Sequence, residues 1–343
     1  MREQGATDAE TGPEVLETAD SEKRLPQHDQ CPPVPEQRHG TRDGARLRAD
    51  VSGSHDLDAT PCVPKPDPAI TESGFRTQNG DHVKVHFEQS GDIGRIVLDD
   101  GPLNLLGPEL VADLTKAVAA AEKAVSANTP MRALLVSSDG EHFSAGADVR
   151  VFQGLSAEQA QAAILENLPA FTRLERLPVP TLATVNGLCL AGGMELALSC
   201  DMIWAAEAAQ FGLIEATIGG FPFAGGAQRL AARVGVARAR EAVYGGTVYP
   251  ASRMYEWGVV NRVLPQEDLQ EKALRYVHRI AAGPTRALAA AKQLISLTTD
   301  GGVGAADTAM PALAGEIVAS QDLQEGAASL LAHGPGHATF AGR

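Results

Sequence analysis

Cysteine is scarce in this 343-residue sequence: Cys31, Cys62, Cys189 and Cys200 are the only four, and no two form a CxxC pair. That spacing excludes a disulfide framework and a zinc ribbon, and it fits a reducing compartment. Long apolar runs are missing as well. No window reaches the ~18 uninterrupted apolar residues of a spanning helix, and the first thirty residues lack the basic-then-apolar order of a signal peptide. A soluble, cytoplasmic protein is expected. Positive charge is in deficit, with 29 Lys and Arg against 43 Asp and Glu for a formal net charge of −14. A field of that sign repels phosphate backbones and anionic lipid, so neither nucleic acid nor membrane is an expected partner.

Several reactive motifs are absent too. Gly187-x-x-x-x-Gly192 has the opening spacing of a phosphate-binding P-loop, but Gly193-Met194 stand where lysine and serine or threonine must hold phosphate and magnesium. No GxSxG elbow surrounds any serine, and Ser144 has no partnered base in the sequence. No HExxH motif occurs among the nine histidines, and no metal is expected. Cys189 and Cys200 border an apolar stretch and read as small buried hydrophobes.

What is present is an ordinary globular mix, 44% hydrophobic and 21% charged, in a length that allows one large domain or two smaller ones. Residues 1–80 differ in kind. They hold nine of the 21 prolines, 15 acidic and nine basic residues, Phe75 as their one aromatic ring, and too little apolar surface to offset ordering entropy. A disordered, acidic, proline-rich tail is expected there, and its acid surplus argues against a transit peptide. From 81 onward alternation begins, with Val83, Val85 and Phe87 on one face and Ile93, Ile96 and Leu98 after Ser90-Gly91-Asp92, the pattern of a hairpin. A helix over 108–126, strands over 131–138, 181–185 and 202–206, and helices over 266–282, 285–297 and 305–332 follow from periodicity. The expectation is an α/β core over 81–265 and a helical region over 266–343.

Two strand-end turns place backbone amides where chemistry could occur: His142-Phe-Ser-Ala-Gly-Ala-Asp148 and Asn186-Gly-Leu-Cys-Leu-Ala-Gly-Gly193. Glycine there permits positive φ and close approach, and the first amides of a helix lack internal partners, so such an end attracts an oxyanion. Each turn alone is also ordinary connection geometry. Glu195, three residues beyond Gly192, and Glu215, after the apolar Phe211-Gly-Leu-Ile214, form a pair of carboxylates. Burial and a like charge nearby raise a carboxyl pKa, which would let one glutamate hold the proton that the other accepts. The plainer alternative makes Glu195 a helix-dipole acid and Glu215 a surface charge.

Read together, these residues resemble the enoyl-CoA hydratase/isomerase, or crotonase, family. The resemblance runs over nearly all of 83–343 and is carried by His142-Phe-Ser-Ala-Gly-Ala-Asp-Val-Arg150, Val185-Asn-Gly-Leu-Cys-Leu-Ala-Gly-Gly-Met-Glu195 and Ala209-Gln-Phe-Gly-Leu-Ile-Glu215. Gly225-Gly-Ala-Gln-Arg-Leu230, Trp257-Gly-Val-Val-Asn261 and the closing Phe340-Ala-Gly342 extend it. It implies a crotonase-like spiral of ββα units, C-terminal helices that build a homotrimer or hexamer, and an acyl-CoA thioester substrate. Coenzyme A would enter as part of the substrate, with no separate cofactor. By position in the motifs, the amides of Ala147 and Gly192 would form an oxyanion hole, Glu195 and Glu215 would act as acid and base, and Ala145, Asp148, Val149 and Arg150 would meet the CoA portion.

Departures from the family pattern also carry information. Ile214 stands where a proline commonly precedes the second glutamate, and Phe221-Pro-Phe223 puts two rings, Phe221 and Phe223, where small residues are usual, placed to shape the acyl pocket. Ala332-His333-Gly334 replaces a lysine–arginine pair, leaving Arg150 as the phosphate candidate. The reading that follows is a 2-enoyl-CoA hydratase. The alternatives are a Δ3,Δ2-enoyl-CoA isomerase working with Glu215 alone, or a catalytically silent CoA-binding scaffold.

Overall fold

The computed structural model describes residues 83–343; the expected tail and the first two residues of the expected core lie outside the described residues. The chain opens with the hairpin β1 (Val85–Ser90) and β2 (Ile93–Leu98), turned at Gly91 with φ +60°. Helix α1 (Pro108–Val125) follows, with proline in its first turn and Leu110, Val111, Leu114, Ala117, Val118 and Ala121 on its buried face. This is the 3.6-residue stripe that the sequence shows. Next come β3 (Ala133–Ser138), α2 (Ala157–Glu175), β4 (Thr181–Val185), β5 (Leu188–Leu190), α3 (Gly192–Leu198), β6 (Met202–Ala206) and β7 (Gln210–Gly212). The middle of the chain closes with α4 (Gly226–Val234), α5 (Val236–Gly245), β8 (Tyr249–Pro250), α6 (Ala251–Glu256) and β9 (Arg262–Leu264).

Strand–strand–helix units recur: β1-β2-α1, β4-β5-α3 and β6-β7-α4. In the later two, the first strand enters a six-stranded sheet of order β1-β2-β3-β4-β6-β9 and the second enters a small sheet of order β5-β7-β8. From β2 to β9 every neighbouring pair in the large sheet is parallel. Strands buried on both faces need apolar side chains at nearly every position, and Ala133–Val136 and Leu182–Val185 meet that need. The strand predictions over 181–185 and 202–206 match the observed bounds.

Beyond β9, α7 (Gln266–Ala281) buries Leu269, Ala273, Val277 and Ala281 in the core, so it belongs to the packed body rather than to a helical appendage. Only α8 (Thr285–Gly301), α9 (Val303–Val318) and α10 (Gln321–His333) form the outer layer, with few buried side chains. The single helix expected over 305–332 is two, because Ser320 ends one and caps the next by accepting a hydrogen bond from Leu323 N. Arg132 ties this layer to the core, donating to Thr285 Oγ1 and to the carbonyls of Gly283 and Phe340. Among the described residues no helix is long and apolar enough to cross a membrane.

The site follows from the parallel pairing of β3 with β4. Neighbouring parallel strands lie about 4.8 Å apart, so the turns leaving their carboxyl ends must be neighbours. Those turns hold the two glycine motifs. They dock through missing side chains: a Cβ on Gly193 would stand 2.6 Å from Ser144 O and 2.7 Å from Ser144 Cβ, and one on Gly146 would stand 2.7 Å from Ala191 Cβ. Gly193→Ala is therefore expected to cost about 1–3 kcal/mol by urea denaturation through overpacking against rigid backbone. Gly304→Ala, on a helix with open space at that position, is expected to be neutral or mildly stabilising. Equal effects at the two positions would contradict the docking argument.

Candidate functional site

On the first side of the docked pair, the turn after β3 is held by Asn104 and Ser144. Asn104 is fully buried with φ +45°; its Oδ1 accepts from Asp100 N at 2.7 Å and its Nδ2 donates to His142 O at 2.9 Å. Ser144 Oγ donates to Asn104 O at 2.8 Å and accepts from Gly146 N at 3.1 Å. Leu106 then pairs across Ala147, donating to Gly146 O and accepting from Asp148 N. Along an extended strand successive amides face opposite edges, so the Ala147 N–H points away from Leu106. It donates no hydrogen bond among the described residues.

On the second side, Ala191 sits at φ +47° and ψ −123°, a conformation that non-glycine residues adopt only under constraint. The constraint includes its N–H, which donates to Gly212 O at 2.7 Å. Gly192 then opens α3, where its amide has no intrahelical partner. A Cβ built on Gly192 would lie 3.9 Å from Ala147 N, so the structure brings these two predicted residues together.

Glu195, in the first turn of α3, is only 3% exposed. Ala224 N at 2.7 Å and Gly226 N at 2.8 Å both donate to its Oε1, and its Oε2 has no hydrogen-bond partner among the described residues. Burial, the strongest influence, pushes its pKa up to about 7 against the two amide bonds; the nearby charge of Glu215 adds to the rise and Arg229 opposes it. Glu215 begins a single 3-10 turn (Glu215–Ile218), is 8% exposed, and has its Oε2 buried with no hydrogen-bond partner. Burial raises its carboxyl as well, partly offset by its own backbone amide. The two predicted carboxylates thus share one buried region: Glu215 is not the surface charge of the plainer alternative, and Glu195, though in the first turn of α3 as that alternative has it, is buried.

The remaining predicted residues form the rim. Ala145 N donates to Leu103 O at 2.9 Å, and Asp148 caps the 3-10 turn Val149–Phe152 by accepting from Arg150 N. The exposed Arg150 guanidinium closes on Asp148 at 2.7 and 2.8 Å, holding that carboxyl below its ordinary range. Asp148 and Arg150 line a cleft of about 550 Å³ together with Lys84, Leu103 and Leu105. Phe221, exposed, and Phe223, half-buried, meet edge to face at 4.6 Å, and Phe223 lies 5.7 Å from Phe152. Sequence reasoning missed Asn104, Phe152 and Lys84. The Gly101-Pro-Leu-Asn104 stretch is a turn signal that could have marked the first, whereas nothing in the sequence marks the other two.

The family model for enoyl-CoA hydratase/isomerase matches residues 88–335. A probable enoyl-CoA hydratase of Rhizobium meliloti (strain 1021) is 32% identical over 246 residues, covering 71% of this chain and 93% of that protein. A 2,3-dehydroadipyl-CoA hydratase of Escherichia coli (strain K12) is 33% identical over 211 residues, covering 61% and 81%. The crystal structure of an enoyl-CoA hydratase subunit from Geobacillus kaustophilus HTA426 superposes with a TM-score of 0.70 at 33% identity, covering 76% of this chain and 99% of that one.

The raised Glu195 pKa makes a prediction about stability. The folded state binds this proton more tightly than an unfolded chain, whose glutamate titrates near 4.5, so stability falls as pH rises from about 4.5 to about 7 and stays lower above. Glu195→Gln removes that dependence. Its unfolding midpoint relative to wild type, followed by calorimetry, is expected to be more favourable at pH 8 than at pH 5. A difference that is flat with pH, or of opposite sign, would contradict the burial argument.

Proposed function

The chain belongs to the enoyl-CoA hydratase/isomerase family, and from that premise we propose that it is a 2-enoyl-CoA hydratase, adding water reversibly across the 2,3 double bond of an acyl-CoA thioester. The observation that carries this reading is the pair of buried carboxyls, both raised by burial, beside two unpaired amides. An isomerase needs one base to move a proton, whereas hydration needs one group to take a proton from water and another to supply one to carbon.

In the proposed mechanism the thioester oxygen accepts hydrogen bonds from Ala147 N–H and Gly192 N–H. Water attacks C3, its proton passes to the Glu195 carboxylate, and the alkene electrons move to the thioester oxygen as an enolate. Each preorganised amide is worth roughly 3–4 kcal/mol to such an oxyanion. Glu215 then gives its proton to C2 as the enolate collapses, and the proton on Glu195 returns the pair to its starting charge through the bound solvent. Dehydration reverses each step. A pKa near neutrality suits Glu195 to either direction of transfer. The cleft beside the Ala147 turn is lined by Lys84, paired with Asp100 and Glu109, and by Arg150, paired with Asp148; it supports placing the CoA portion there if its phosphates replace those carboxylates as partners. Phe221 and Phe223, next to Glu215 through Gly220, support a contact with the acyl chain. The exposed Ile295, Val303, Met310, Val318 and Leu331 of the outer helices support a homotrimer or hexamer.

Glu195→Gln and Glu215→Gln are each expected to lower crotonyl-CoA hydration at least ~10²-fold, followed by loss of the conjugated enoyl absorbance. Near wild-type turnover in either variant would overturn the assignment. Retained 3-enoyl-CoA isomerisation in Glu195→Gln, with no hydration in wild type, would identify an isomerase instead.

A further inference from the structure

Arg229 has an environment that packing alone does not explain. It sits in α4, four residues past the helix cap Gly225, with its side chain 11% exposed. Nη1 donates to Ala224 O at 2.7 Å and Nη2 pairs with Glu175 Oε2, at the last residue of α2, at 2.7 Å. Nε is buried without a partner. The guanidinium also lies over Gly225, whose φ of +96° and missing side chain leave room for it. Burying an arginine with one donor unsatisfied is costly, and an apolar side chain of similar volume would fill the space at least as well.

The geometry assigns the cation a task in the neighbouring site. Ala224 is gripped on its carbonyl side by Arg229, while its N–H and that of Gly226 hold Glu195 Oε1. We infer that Arg229 is a positioning residue for Glu195: anchored by Glu175, it fixes the 224–226 turn that orients the carboxylate and supplies the positive charge facing it. Glu195 feels the charge of Glu215 from the 3-10 turn and of Arg229 from α4, and Glu175 of α2 pairs with Arg229. Arg233, one turn further along α4, reaches the other end of α3, donating to Leu198 O and to Cys200 O. Arg229 is thus the cation that acts against burial and against Glu215 in holding Glu195 ionised.

The test is a carbon-13 carboxyl titration of Glu195 by NMR in the full chain, its resonance assigned by its loss in Glu195→Gln. Arg229→Met is expected to raise the midpoint by about half a unit or more, less than the ~1–3 units of a directly paired charge because a peptide turn intervenes. Glu175→Gln, which leaves the arginine without its counter-charge, is expected to lower the midpoint. Arg229→Lys should restore most of the wild-type value. The catalytic arm rests on the hydratase reading: the acidic limb of kcat/KM for crotonyl-CoA should move in the same two directions, with kcat falling about 10- to 100-fold in Arg229→Met as the carboxylate loses its fixed orientation. An unmoved Glu195 midpoint in folded variants, even with reduced kcat, would overturn the inference by reducing Arg229 to a structural part. If Arg229→Met does not fold, the direction of the Glu175→Gln shift decides. Midpoints that move as stated in a protein without hydratase activity would uphold the inference while the functional reading fails.

Discussion

Everything in the site hangs on the contact between two backbone turns, the Gly193 segment seated on Ser144 and the Gly146 segment seated on Leu190 and Ala191. Two adjacent parallel strands deliver these turns to the same edge of the sheet, and bonds such as Ser144 N donating to Leu188 O, Leu190 N donating to Ser144 O and Ser144 Oγ donating to Asn104 O lock them in place. The lock is strong enough to hold Asn104 and Ala191 at positive φ, where a side chain costs about 1–3 kcal/mol. That stored strain has a definite product. It leaves the Ala147 and Gly192 amides side by side and unpaired, whereas buried amides in folded proteins are almost always satisfied.

The same contact sets the electrostatics. Because α3 begins at the docked turn, Glu195 enters the interior one turn later, among Leu213, Gly226 and the 224–226 turn. Two amides at the start of α4 stabilise its charge while burial and Glu215 oppose it, and the balance falls near neutral pH. Glu215, with one oxygen buried and unpaired, is raised by burial against the pull of its own backbone amide. One fold therefore gives two chemically identical side chains different surroundings: Glu195 is held by the amides of Ala224 and Gly226, and Glu215 by its own backbone amide.

Much of this was legible in the sequence because it depends on local pattern. The 3.6-residue stripe of α1, the apolar runs of β4 and β6, the glycine turns and the two glutamates are all short-range signals. What escaped depends on contacts distant in sequence or on elements too short for a period. β5 and β7 have three residues each, and α2 carries an internal proline, Pro169, and only three buried side chains. The partition of 305–332 into two helices turns on one capping serine. Asn104 acts on residues 35 to 40 positions away, and Arg229 matters through Glu175, 54 positions away, so no window of sequence holds either pairing.

The most direct measurement is a crystal structure of the full chain with butyryl-CoA, a saturated thioester that cannot be hydrated. The convergence of the two turns predicts the thioester oxygen about 2.7–3.1 Å from both Ala147 N and Gly192 N, with C2 and C3 lying between the Glu195 and Glu215 carboxyls. A thioester oxygen bonded to neither amide, or to one with the other satisfied elsewhere, would contradict it.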